Sequence, residues 1–450
     1  MIWRSAAVSA ERDLPLSLGA IHRLADLSPA PPDPWDDRLR DSLVRLLLAG
    51  RRAIAAFESL DHLGLVSHLM PEWEHVRHHH QRNAYHRYTV DRHLLEAAAN
   101  AAELADQVDR PDLLVIGGLL HDIGKGLPGD HTVLGIEIVG NMAPRMGFSP
   151  PDVAILQSLV RHHLLLADTA TRRDLGDPKT IETVAEQVGD LTTLRLLGAL
   201  TKADSLATGP SAWGSWKEQL VDELVRRTEE FLEGAALPAR EHHVAGEHED
   251  LVAEVRSTGR PGVLLEPPQV VVVAPDRPGL LAAVAGTIAL HGLDVHAADA
   301  ESFDDVAVEV FTVETSSGRW PDSAVLRGDL DDVFADRVDL ELLLARRAES
   351  YAGAKRAWSA HPIISSVSFD NDASSDCTVV EVRAPDEIGL LHRLCSTLFE
   401  AGLDVVAARV ATIGGEVVDA FYVRAPDGQK LHDQTAIAAV TEAVEAALAS

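Results

Sequence analysis

Two histidines and two aspartates offer the most direct chemistry in this sequence. His121 and Asp122 stand side by side after the apolar run Leu113 to Leu120. His93 precedes them at the head of a separate helical run, and Asp204 follows far downstream in Thr201-Lys202-Ala203-Asp204-Ser205. Two imidazoles and two carboxylates make a mixed nitrogen and oxygen donor set. Such a set suits Mn, Fe, Mg, Zn or Ni, and not a metal selected by thiolates. Neighbours on a helix project about 100° apart, so His121 and Asp122 share one ion only at a helix surface beside a cleft. With 21 histidines in the chain, residue types alone also fit structural histidines that bind nothing. Lys125, one turn past the pair, reads either as a phosphate-neutralising cation or as a helix-terminal lysine. His131 follows a Pro-Gly-Asp turn, and His162 ends an apolar helix and is followed by His163. His131 and His162 are candidates for phosphate contacts, for contacts to the ligands or for a second metal. The tract His78, His79, His80 and the group His242, His243, His248 read as solvated histidines.

The elements that must position these groups change character along the chain. Residues 1–60 are rich in Leu, Ala and Arg at helical spacing and are broken by Ser28-Pro29-Ala30-Pro31-Pro32-Asp33-Pro34. They read as the end of a helical unit. Residues 61–235 read as all-helical, with Leu94 to Ala99, Leu113 to Leu120, Ile155 to Val160 and Leu194 to Leu206 as buried segments. Residues 236–266 hold Pro238, Gly246, Gly259, Pro261 and Gly262 without a period and read as a linker. From 267 the period becomes that of strands: Val270 to Ala274 is a buried run, and Val306 to Thr315 alternates.

That last region repeats itself. At an offset of 110, positions 274 to 298 share 13 of 25 residues with their counterparts, without a gap. Ala274-Pro275-Asp276 falls on Ala384-Pro385-Asp386, and Gly279-Leu280-Leu281 falls on Gly389-Leu390-Leu391. This is an internal duplication. Each copy reads β-α-β-β-α, a ferredoxin-like order. A strand at residues 363–369 is expected to close the first copy. The second copy, residues 376–450, ends in a helix near Ala436 to Leu448 with little room for a fourth strand.

Composition limits the partners. The net charge is −30, which disfavours nucleic acid and anionic membrane surfaces. Two cysteines, Cys377 and Cys395, make neither a disulfide framework nor a zinc-thiolate site. No apolar run reaches the ~18–20 residues of a membrane span. A soluble, cytoplasmic, multidomain protein is the expectation.

The motifs Tyr88-Thr89-Val90-Asp91-Arg92-His93, Gly118-Leu119-Leu120-His121-Asp122-Ile123-Gly124-Lys125-Gly126 and Gly129-Asp130-His131-Thr132-Val133-Leu134-Gly135 resemble the HD phosphohydrolases. Within that superfamily they resemble the HD domain of the bifunctional PII uridylyltransferase/uridylyl-removing enzyme family. The repeat with Ala-Pro-Asp-x-x-Gly-Leu-Leu is similar to the paired ACT domains that follow HD in that family. The resemblance implies an α+β multidomain chain: an all-α HD-type domain at 61–235, then two ferredoxin-like (βαββαβ) ACT repeats at 267–370 and 376–450. It implies metal ligation by His93, His121, Asp122 and Asp204, with Mg or Mn as the divalent ion, and a catalytic role for Lys125. The implied reaction is hydrolysis that frees UMP, or AMP, from the nucleotidylated PII signalling protein. The implied effector is glutamine, at turns that include Asp276, Gly279, Leu280, Asp386, Gly389 and Leu390. The family's nucleotidyltransferase motif, Gly-Ser with a paired Asp-x-Asp, is missing from residues 1–92, so uridylyltransferase activity is not expected of this chain. Two other readings compete. One is a guanosine polyphosphate pyrophosphohydrolase, which also pairs HD with ACT. The other is a non-catalytic amino-acid-sensing regulatory protein.

Overall fold

The computed structural model describes residues 1–81, 87–209, 213–236, 246, 248–315, 318–351, 364–413 and 416–449. His242 and His243 lie outside the described residues. The chain forms two compact units, one of residues 1–168 and 182–235, the other of residues 169–181 and 236–450. No helix among the described residues is long and apolar enough to cross a membrane.

The first unit is helical. Its elements are α1 (Ile2–Glu11), α2 (Leu18–Leu27), α3 (Asp37–Leu48), α4 (Arg51–Asp61), α5 (Leu65–Leu69), α6 (Val90–Glu103), α7 (Pro111–Leu120), α8 (His131–Arg145), α9 (Pro150–His162), parts of α10 (Leu165–Arg172) and α11 (Pro178–Val188), α12 (Leu191–Thr208) and α13 (Ser215–Leu232). Residues 1–60, read from sequence as the end of a helical unit, pack in the same compact unit as the helices that follow. Trp3 stacks on Phe57, whose ring meets Trp73 edge-on at 5.1 Å. All three are buried. Arg51 of α4 donates to Glu96 of α6 at 2.9 Å and to Asn100 at 3.1 Å.

Capping residues fix where the site-bearing helices begin. Asp130 accepts from the backbone N–H of Thr132 and Val133 and so starts α8. Ser149 starts α9, and Asp190 starts α12. Each side-chain oxygen satisfies a donor that the helix leaves unpaired.

The second unit is an eight-stranded antiparallel sheet with its helices. The strands are β1 (Gly262–Glu266), β2 (Gln269–Pro275), β3 (Leu293–Phe303), β4 (Val306–Thr315), β5 (Ser366–Asp370), β6 (Thr378–Pro385), β7 (Asp404–Ile413) and β8 (Glu416–Arg424). Their order is β1-β2-β4-β3-β7-β8-β6-β5. The helices are α14 (Glu249–Thr258), α15 (Leu280–Leu290), α16 (Ser323–Phe334), α17 (Leu340–Tyr351), α18 (Leu390–Glu400) and α19 (Gln434–Ala449). The two repeats share one sheet through β3 and β7, paired from Ala297↔Ala411 to Glu301↔Ala407. Each repeat carries the same bulge at matching positions of the duplication, Val295/Ala297 in the first and Val405/Ala407 in the second.

The strand assigned from sequence to the end of the first repeat belongs to the second. β5 pairs with β6, from Ser366↔Arg383 to Asp370↔Val379. The first repeat is closed instead by β1, paired to β2 inside the segment read as linker. Each repeat is therefore ferredoxin-like in sheet layout, with its outer strand supplied from the N-terminal side, and the second repeat has its fourth strand after all. The reason is local. A short strand joins the nearest open edge in register, and β5 reaches β6 across the short connection of residues 371–377.

Both sheet faces are buried around β2. Val270 and Val272 pack under α15, while Val271 and Val273 pack under Val252 and Val255 of α14. This explains a continuous valine run where a half-exposed strand would alternate. Residues 169–181 cover part of the face beside β8. The Asp174 N–H donates to the Tyr422 hydroxyl at 2.6 Å, Arg409 donates to Asp174 at 2.8 Å, and Arg173 donates to Glu381 at 3.2 Å.

Candidate metal centre

Three helices deliver the four expected ligands. His93 lies in the first turn of α6, His121 and Asp122 just past the end of α7, and Asp204 in the last turns of α12. Their approach depends on small residues. A Cβ on Gly118 would lie 2.9 Å from the Ala98 Cα and 3.2 Å from the Ala97 carbonyl oxygen. Glycine there lets α7 lie directly on the alanine face of α6, which brings His121 beside His93. A Cβ on Gly124 would meet the His131 carbonyl oxygen at 2.0 Å. Glycine there admits the start of α8, and His131 with it. Asn100 of α6 donates to the Ala203 carbonyl at 2.9 Å and ties α12 to α6 one residue before Asp204.

The ring nitrogens converge. His93 Nε2 is 2.9 Å from Asp204 Oδ1, His121 Nε2 is 3.4 Å from the same oxygen, and the two Nε2 atoms are 3.3 Å apart. Asp122 Oδ2 lies 3.5 Å from His121 Nε2 and 3.8 Å from His93 Nε2. Its other oxygen faces two more imidazoles, His163 Nε2 at 3.6 Å and His131 Nε2 at 3.7 Å. Lys125 Nζ contacts Asp122 Oδ2 at 2.5 Å. Two trios of ligand atoms thus come together, His93/His121/Asp204 and Asp122/His131/His163, each within 4.8 Å. Asp122 joins them.

Of the two neighbouring histidines, the one at the site is His163, not His162. His163 is 3% exposed, whereas His162 is half-buried beside Arg161, and burial together with that cation holds its pKa below the usual imidazole range. One residue is about 100° of helix, enough to turn a ligand away. His163 carried no signal of its own beyond standing next to His162. His78, His79 and His80 are exposed and belong to neither trio.

The tautomers suit metal ligation. His121 Nδ1 donates to the Gly118 carbonyl at 3.0 Å, and His163 Nδ1 donates to the Val160 carbonyl at 2.8 Å. A carbonyl only accepts, so each Nδ1 carries the proton and Nε2 is the atom presented to the site. Charge tells the same story. Burial opposes the imidazolium of His121, but the Asp204 and Asp122 carboxylates outweigh it and raise its pKa to about 10. Burial likewise opposes the Asp122 anion, yet His121, Lys125 and His163 hold it well below the usual carboxylate range. Asp204 is held down against burial by His121 and His93. The two carboxylates, Asp122 buried and Asp204 largely so, draw a cation, and a proton on His121 supplies it; a divalent metal could take that proton's place. Asp122 Oδ1 is buried and without a hydrogen bond among the described residues, so it is available as a ligand atom. Donor types, convergence and charge all fit a divalent ion.

The expected effector residues lie in the second unit. Asp276, Gly279 and Leu280 line one cavity, and Asp386, Gly389 and Leu390 line another. Gly279 and Gly389 stand at the N-termini of α15 and α18 with φ of 77° and 78°, where no side chain caps the helix.

Comparison with known proteins agrees with both units. The HD domain family matches residues 90–209, and the ACT domain family matches residues 269–318 and 378–445. A protein described as a bifunctional uridylyltransferase/uridylyl-removing enzyme from Streptomyces coelicolor is 42% identical over 99% of this chain and 59% of its own length. One of the same description from Mycobacterium tuberculosis is 41% identical over 95% of this chain and 54% of its own length. Another, from Novosphingobium aromaticivorans, is 34% identical over 85% of this chain and 48% of its own length. The chain spans from about half to three-fifths of the length of these relatives.

Proposed function

We propose that this chain, a homologue of the bifunctional uridylyltransferase/uridylyl-removing enzymes through its HD and ACT domains, is a metal-dependent hydrolase that removes UMP or AMP from nucleotidylated PII protein under glutamine control. The observation that carries the reading is the convergence of His93, His121 and Asp204 on one point, with Asp122 directed both there and toward His131 and His163. A bound Mg or Mn would lower the pKa of a water and withdraw charge from a phosphoryl oxygen.

The chain's own groups then have distinct tasks. His93, His121 and Asp204 hold one ion, and Asp122 orients its two oxygens toward both imidazole pairs. Lys125, partly exposed above Asp122, places positive charge where a phosphodiester would enter. His131 has 38% of its side chain exposed, against 1%, 0% and 3% for His93, His121 and His163. It is placed to touch the phosphate or to give a proton to the oxygen of PII that leaves it.

Purified chain, incubated with uridylylated and with adenylylated PII and Mg or Mn, is expected to release UMP or AMP. The double substitution His121→Ala, Asp122→Ala is expected to abolish that release and the bound metal together. Release that persists in the double variant overturns the assignment. Release of pyrophosphate from a guanosine polyphosphate, with no action on modified PII, replaces the substrate.

A further inference from the structure

Two carboxyl groups of the sheet unit are buried without any catalytic task, and the duplication relates them. Glu309 on β4 and Asp419 on β8 occupy equivalent positions of the two repeats and are 2% and 0% exposed. Each lies on the face covered by α15 and α18, beside Phe311 and Phe421 of the shared apolar core. Each also lines one of the two cavities at the repeat junction. Glu309 shares a cavity with the Asp276–Leu280 turn, and Asp419 shares one with the Asp386–Leu390 turn.

The cavities are not equal. The one at Glu309 measures about 310 Å³, the one at Asp419 about 100 Å³. The difference does not lie at the turn glycines: an apolar side chain stands at a similar distance over each, Phe399 3.7 Å from where a Cβ on Gly279 would lie and Leu344 3.6 Å from one on Gly389. What is particular to the smaller cavity is Arg347 of α17, which lines it while donating to the Leu290 carbonyl.

Glu309 Oε2 has no hydrogen bond among the described residues. Burial, helped by the Asp276 carboxylate, raises its pKa to about 8. A carboxyl buried in an apolar layer costs stability unless something pairs with it. Across the same cavity, α15 begins at Gly279 with N–H groups that no side chain caps, a favourable place for an anion. A bare cation would meet those N–H groups, and a bare anion would meet Glu309. A zwitterion answers both at once.

We propose that Glu309 receives the ammonium group of an α-amino acid whose carboxylate sits at the start of α15, and that this cavity, not its counterpart at Asp419, takes the ligand. The inference rests on the reading that the ACT repeats sense an amino acid, and it names the pocket and the recognising group.

Calorimetry on the full chain tests it with L-glutamine, the other standard amino acids, and glutaramic acid, which is glutamine without its amino group. Glutamine is expected to bind the wild type, at least tenfold more weakly in E309Q, and within twofold of wild type in D419N. Glutaramic acid is expected to bind the wild type at least tenfold more weakly than glutamine, a comparison that holds even where E309Q does not fold. Unchanged glutamine binding in E309Q, equal binding of the two compounds, or a loss confined to D419N overturns the proposal. Should glutamine fail and another amino acid bind with the same E309Q loss, the pocket stands and only the effector of the proposed function changes. Should no amino acid bind, the pocket assignment falls while the hydrolase is untouched.

Discussion

The helical unit and the sheet unit both bury carboxyl groups and treat them in opposite ways. Asp122 and Asp204 sit among His93, His121, His163 and Lys125 and stay ionised against their burial. Glu309 and Asp419 sit among valines, alanines and phenylalanines, and burial drives both toward the protonated form. Depth alone therefore does not set the charge of a buried acid. The neighbours do, because Coulomb attraction in a poorly polarisable interior is strong enough to reverse the desolvation cost. An acid kept ionised inside a ring of imidazoles suits a divalent ion. One kept neutral in an apolar layer suits a cationic ligand group, the role proposed for Glu309.

The largest break in this contrast comes from removing an ionised acid. Asp204→Asn should lower hydrolysis at least about 100-fold and weaken metal binding in parallel, read by activity and by metal content after dialysis. Retained metal with full activity would remove Asp204 from the ligand set. His163→Gln comes next, with an expected loss of roughly 10–100-fold in metal affinity. The same substitution at His162 should change metal binding less than twofold, and equal losses at the two positions would contradict the separation of the neighbours.

The neutral acids give a smaller effect, visible in stability. Glu309 has a pKa of about 8 in the folded chain against 4.5 when unperturbed. Between those values the folded state holds a proton that the unfolded chain has released, so stability falls as pH rises through the window. Glu309→Gln lacks this loss. Its Tm relative to wild type, measured without ligand, should rise from pH 5 to pH 8, by the equivalent of a few kcal/mol at most. A Tm difference that stays flat over that range would mean that Glu309 is not protonated in the folded chain.

Much of the metal centre is legible in the sequence because its parts are marked by neighbours. His121-Asp122 follows an apolar helix and precedes Gly124, which turns out to be the close-contact point with α8, while Gly118 just before the pair is the close-contact point with α6. His163 is different. It and His162 are chemically identical in the sequence, and only the phase of α9 against the core decides which one turns inward. Glu309 hides in a similar way. In Val-Ala-Val-Glu-Val-Phe the alternation assigns it a face, and nothing local reveals that helices cover that face.

What the chain alone determined is periodic or repeated: the helical block, the doubled βαββα unit, the HD motif and the glycine turns. These depend on contacts near in sequence or on residues duplicated intact. The tertiary structure decided the partners across long loops. It paired β5 with β6 and β1 with β2, packed Trp3 and Phe57 against Trp73, and left a larger cavity at Glu309 than at Asp419, where Arg347 of α17 lines the space. Such choices follow from which edges and apolar faces meet once the chain has folded, and that information is spread along the whole chain and not written at any one residue.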